Sequence, residues 1–131
     1  MADEAVLVYE TEPAIPVVVA NANALEKGTV LAGADLMVGA ASSADNDVFF
    51  GITKYEKIAS DGTTAVAAYF GGVFKMTIAS GQSTTIGQDV VIKGANTVGG
   101  YSTLDDEKGY KIGKAMETGA AGETVLVFVG K

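Results

Sequence analysis

A mainly β single domain, closed as a small barrel or sandwich, is what this sequence predicts. Short runs rich in Val, Ile, Thr and aromatics recur along it, each bounded by Gly, Asn, Asp or Ser. The 131 residues include 17 Gly and no Trp, and 48% are hydrophobic against 19% charged, so the chain folds, with many tight turns. Helix signals are sparse: Thr103 could cap a single turn through Asp106, but Gly109 follows at once.

The elements follow in order. Residues 1–14 read as an extended N-terminal arm and 15–131 as the β-rich domain. The arm carries Asp3, Glu4, Glu10 and Glu12 with no base, around an apolar centre at Val6, Leu7, Val8 and Tyr9, and it leads to Pro13 and Pro16. An extended segment ending in prolines can add to the exposed sheet edge of a partner, gaining main-chain hydrogen bonds. It can equally form the first strand of its own barrel, and the sequence leaves both readings open. Strands are then expected near Ile15 to Ala20, Thr29 to Leu31, Leu36 to Ala40, Val48 to Tyr55, Thr64 to Phe70, Val73 to Ile78, Asp89 to Ile92, Lys111 to Met116 and Glu123 to Val129. Such strands must close or pair to hide their edges.

Between two of them stands Gly71-Gly72. Read as a two-residue hairpin turn, the pair supplies the positive φ that primed turns need, setting Phe70 against Val73, Tyr69 against Phe74, Ala67 against Met76 and Ala65 against Ile78. The alternative is one long strand bent at the glycines.

Composition excludes several chemistries. His, Cys and Arg are all absent, which removes Ser-His-Asp and Cys-His nucleophile systems, ordinary zinc sites and disulfides. A net charge of -7 without arginine argues against nucleic acid as a partner. No apolar run reaches the roughly 20 residues of a membrane-spanning helix, and acids rather than lysines precede the apolar Ala14 to Ala24, so neither a membrane role nor a secretory signal is expected. Gly109 to Ala115 lacks the spacing and hydroxyl of a phosphate loop. Asp45-Asn46-Asp47 with Glu56 resembles the ends of a calcium loop, but Phe49 and Phe50 occupy positions between that would need a ligand and a glycine. Asp105, Asp106 and Glu107 could form an acid pair, yet read better as an exposed loop. No catalytic residue, metal or cofactor is expected.

Four segments in succession carry a family resemblance: Phe50-Gly51-Ile52-Thr53; Ala65 to Met76; Ile112-Gly113-Lys114-Ala115-Met116-Glu117; and Glu123 to Val129. In this order and spacing the chain resembles the small phage head decoration, or capsid cement, proteins of β-tulip type, similar in architecture to that of phage lambda. The resemblance implies a homotrimer on the outer face of an icosahedral head, partnered by the major capsid protein, with the arm residues Val6, Leu7, Val8, Tyr9, Pro13 and Pro16 as the capsid-binding element. It also implies a virion location and no catalysis. A function of another class, a carbohydrate- or host-surface-binding module, would use Tyr55, Tyr69, Phe70, Tyr101 and Tyr110 as stacking platforms.

Overall fold

A computed structural model describes residues 3–35, 38–45, 47–101 and 111–130. The expected turn at Thr103 to Asp106 and the acids Asp105 to Glu107 lie outside them, as do Leu36 and Asn46. The described chain is β throughout: β1 Val6–Tyr9, β2 Ile15–Val18, β3 Val30–Ala34, β4 Val38–Ala41, β5 Phe49–Thr53, β6 Ala65–Tyr69, β7 Gly72–Ile78, β8 Ser83–Thr84, β9 Asp89–Ile92, β10 Thr97–Gly100, β11 Lys111–Ala115, β12 Gly119–Ala120 and β13 Thr124–Val129. Period-two alternation builds the longer ones. Phe74, Met76 and Ile78 of β7 point inward and Lys75 outward, and Val125, Val127 and Val129 do the same on β13.

The strands close twice rather than once. Strands β2, β4, β3, β5 and β6 form a closed barrel, the first lobe. Strand β7 pairs with both β10 and β13, so β7, β10, β9, β11 and β13 also return on themselves, forming the second. The two rings share one topology: the first pair, β2–β4 or β7–β10, is parallel and every other pair antiparallel. Registers match residue by residue. Val18 pairs with Val38 and Ala65, and Thr77 pairs with Thr97 and Thr124. The bulge that shifts β3 against β5 between Val30 and Ala32 recurs between β9 and β11. Turn bonds repeat too: Gly28 N–H donates to Thr53 O as Gly87 N–H does to Ala115 O, and Ser42 N–H donates to Val30 O as Tyr101 N–H does to Asp89 O. The chain is a tandem repeat of one five-stranded topology, with β1 as an addition that has no counterpart among the described residues.

This topology corrects the expected hairpin at Gly71-Gly72. Strand β6 is flanked by β2 and β5, and β7 by β13 on one side and by β1 and β10 on the other, so neither has an edge left for the other. Val73 pairs with Tyr9 and Phe128, not Phe70, and Met76 pairs with Val125, not Ala67. The glycines instead carry the chain from one closed sheet into the next. Gly72 has φ +135, and a Cβ there would lie 3.0 Å from Tyr9 O and 3.1 Å from the Phe74 ring. Of the expected contacts, Tyr69 with Phe74 survives as an edge-to-face ring pair, 5.8 Å between centroids, across the junction of the lobes.

That junction is apolar and is pinned by one amide. Val30, Ile52 and Tyr69 of the first lobe bury their side chains in the core of the second, beside Phe74 and Val127. Asn96, in the left-handed conformation (φ 58) and 8% exposed, accepts from Val30 N–H through Oδ1, donates through Nδ2 to Gly28 O and Asp3 O, and donates its own N–H to Ser42 Oγ. Asn96→Ala strands the buried Val30 donor and places a β-carbon residue without local side-chain bonding at positive φ. The expected loss is about 3 kcal/mol, read as a lower midpoint in urea unfolding. A midpoint within error of the parent would show that the lobes are held by the apolar contact alone.

Candidate functional site

The residues assigned to the arm are ordered against the chain's own sheet. Val6 pairs with Lys75, Leu7 with Phe74 and Tyr9 with Val73, with a register shift at Val8. Ala5, just before the strand, is buried and donates its N–H to Gly28 O. The free-arm picture is therefore corrected: residues 6–9 are an edge strand, held because β7 needs a partner along its first half, where β10 does not reach. Leu7 faces the core, whereas Val6, Val8 and Tyr9 are exposed, Tyr9 to 68%. Their outer main-chain edge has no pairing among the described residues.

Pro13 and Pro16 are exposed as well, but Pro16 belongs to β2, opposite Ala67. Val19 N–H donates to Thr64 O, so by alternation the missing N–H of Pro16 lies on the side away from β6. It blunts an edge that β4 meets only at Val18.

Beside β1 a pocket of about 270 Å³ opens between the lobes, walled by Glu4 to Leu7, Lys27 and Gly28, Thr53 to Tyr55, Tyr69 and Phe74. The Lys54 ammonium sits 5.4 Å from the Tyr55 ring centre and 5.8 Å from that of Tyr69. The two phenols, Tyr55 foremost, hold its pKa above the ordinary value, and Glu10 adds a smaller share. Lys54 therefore presents a permanent cation over aromatic faces at any physiological pH. The sequence reading missed this group. Its signal was the pair Lys54-Tyr55 directly after a strand, legible only once Tyr69 and β1 are placed beside it.

Other expected features do not assemble. Asp47, read as one end of a calcium-like loop, accepts main-chain N–H groups from Ser43 at 3.0 Å and Ala44 at 3.1 Å, the work of a turn cap. Among the described residues no three carboxylates gather as metal ligands. Of the tyrosines and phenylalanine offered as stacking platforms, Tyr69 is buried, Phe70 packs on the first lobe's core, Tyr101 lies against Lys111, and Tyr110 is outside the described residues. Among those described, only Tyr55 is broadly exposed, and the described candidates do not gather into one aromatic platform.

A family model described as phage cement protein matches residues 9–130. The chain belongs to that family. No curated protein matches it. As a phage cement protein it is a structural component of the virion, located on the outside of the capsid. The edge strand β1, the exposed side chains of Val6, Val8 and Tyr9, and the lysine-tyrosine pocket are thus features of a protein whose work is binding.

The chain has no His, the side chain whose ordinary pKa falls in the neutral range. The group set furthest from its normal behaviour on the second lobe is Asp89, held low by hydrogen bonds from Lys114 at 2.6 Å and then Lys111. Because its folded pKa lies below the unfolded value of about 3.9, its contribution is present above that pH and is lost as pH falls through the folded value. Both lysines are largely exposed, so the contribution stays below about 1 kcal/mol. Asp89→Asn should melt slightly lower than the parent at pH 7, and the gap should close towards pH 2. A gap that widens on acidification would contradict the assignment.

Proposed function

We propose that this cement protein binds the major capsid protein on the outer surface of an icosahedral head as a homotrimer, and that binding stabilises the capsid lattice. The observation that carries the reading is the unpaired outer edge of β1 beside exposed Val6, Val8 and Tyr9. A partner strand added there would gain main-chain hydrogen bonds, while alternate side chains select its sequence. Pro13 and Pro16 are exposed just downstream, and Pro16 blunts the part of the β2 edge that β4 leaves open. A ligand that prefers the assembled lattice stabilises it by linkage. Three such edges on one trimer convert later contacts into intramolecular ones, so avidity exceeds a single contact by roughly 10²-fold. The closed lobes supply the β-tulip-like scaffold that holds each edge in place.

Deleting residues 1–14 does not test this, because Ala5 and Leu7 belong to the core. Paired charges on the exposed face do. In Val8→Lys/Tyr9→Lys the free protein should unfold within about 0.5 kcal/mol of the parent, as surface changes do. Occupancy on heads lacking the protein, measured by cosedimentation, should fall at least tenfold, and the resistance of those heads to heating should fall with it. Normal decoration by a normally folded variant would remove β1 as the capsid-binding element.

A further inference from the structure

The repeat makes one contact within the chain that can be made again between chains. At the junction the first lobe contributes Val30, Ile52 and Tyr69, and the second contributes Phe74 and Asn96. Strand registers give the equivalents. Val30, Ile52 and Tyr69 correspond to Asp89, Lys114 and Phe128, and Phe74 corresponds to Ile15. The two contributing faces share no equivalent position, so the lobes meet head to tail rather than about a twofold axis. A head-to-tail contact leaves two unmatched faces, one at each end: that of Ile15 on the first lobe and that of Phe128 on the second. Each end residue is exposed where its equivalent is buried: Ile15 is 44% and Phe128 41% exposed, against 1% for Phe74 and 5% for Tyr69. Ile86 and Met116, also exposed, widen the apolar surface beside Phe128.

We propose that these unmatched faces join successive copies of the chain, Ile15 of one protomer seating against Phe128 of the next as Phe74 seats against Tyr69 within one, so that the copies close into a ring. The number of copies, three, rests on the trimer proposed above; the head-to-tail contact does not. A trimer so built presents six similar lobes in a circle. Charge assists the pairing locally: among the described residues Lys111 and Lys114 lie by Phe128, with Asp89 between them and Glu117 bonded to Leu126 N–H, while the approach to Ile15 carries Glu10 and Glu12. Where the internal junction has Val30 and Ile52, this face has the Asp89–Lys114 pair, already satisfied at 2.6 Å. The contact between chains is therefore wetter and weaker than the one within, as suits protomers that associate after folding.

The absence of native cysteine gives a clean test. Ile15→Cys and Phe128→Cys are made as separate proteins and oxidised alone, mixed, and as the double variant, both free and bound to heads, after thermal unfolding has shown each to be folded. The mixture should give covalent dimers, since the proposed seating brings the two side chains into contact and a disulfide needs their Cα atoms within about 7 Å. Each single variant alone should give none, and the double variant should give a ladder ending at three chains. Phe128→Glu, unchanged in its unfolding, should weaken self-association at least tenfold by sedimentation. Dimers from a single variant, no cross-link in the mixture in either setting, or unchanged association in Phe128→Glu would overturn the head-to-tail contact, and a ladder running past three chains would overturn the closed trimer. Heads that are decorated without any cross-link would leave the cement role standing while removing this contact.

Discussion

The hydrogen bonds that hold the two lobes as one body converge on Asn96, at an apolar junction of Val30, Ile52, Tyr69 and Phe74. The Asn96 amide and its own N–H reach Val30, Gly28, Ser42 and Asp3, tying the first lobe and the N-terminal segment to the second. A left-handed backbone is needed to aim those groups, and asparagine is among the few residues with a β-carbon that tolerate it. Asn96 and Val30 are both buried, which strengthens each of these hydrogen bonds and makes leaving any one unmade costly. The position of β1 follows from the same junction. Ala5 bonds Gly28 and Asn96 bonds Asp3, so the chain enters its edge position already aligned with β7.

Repetition also explains how so small a chain encloses two sheets. The first lobe alone has a thin core: it relies on Val17, Val19, Leu25, Leu31 and Ala68, supported by Phe50, Val66 and Phe70. By lending Val30, Ile52 and Tyr69 to its neighbour, it becomes part of a larger apolar cluster. Lys57 supports the first lobe differently. Nearly fully buried, it donates to Asn21 O, Asn23 O and Ile58 O and pairs with Asp61 at 3.4 Å, closing the loop after β2 that the second lobe closes with the short β8–β12 pair.

Much of the fold was legible because alternation survives in single strands. Phe74, Met76 and Ile78, or Val125, Val127 and Val129, announce an inward face without reference to anything distant. Strand β10 escaped because Gly99 and Gly100 carry no side chain to set a period, their hydrogens being required where Gln82, Lys93 and Gln88 press close. The repeat escaped for a related reason. What the lobes share is main-chain register and a turn glycine, Gly28 or Gly87, whereas equivalent positions such as Val30 and Asp89 or Ile52 and Lys114 have diverged completely. The hairpin at Gly71-Gly72 was a sound local reading defeated by distant strands that had already taken both edges. For the candidate site, the alternating segment Val6 to Tyr9 was visible, but its attachment to β7 was not, since nothing local states that β10 stops short.

The attachment of β1 has a mechanical meaning. It is held by only three register pairs, Val6, Leu7 and Tyr9 against Lys75, Phe74 and Val73, whereas β13 meets β7 along six. Tension drawn along β1 loads its few hydrogen bonds together, in shear, and the register shift at Val8 shortens the continuous ladder further. Gripped at β1 as proposed, the protein under an outward stretch of the shell would let this strand slide off β7 before either closed lobe distorted. The lobes would then recoil intact, able to dock again, so that a cement fastened through β1 yields like a fuse at a defined seam.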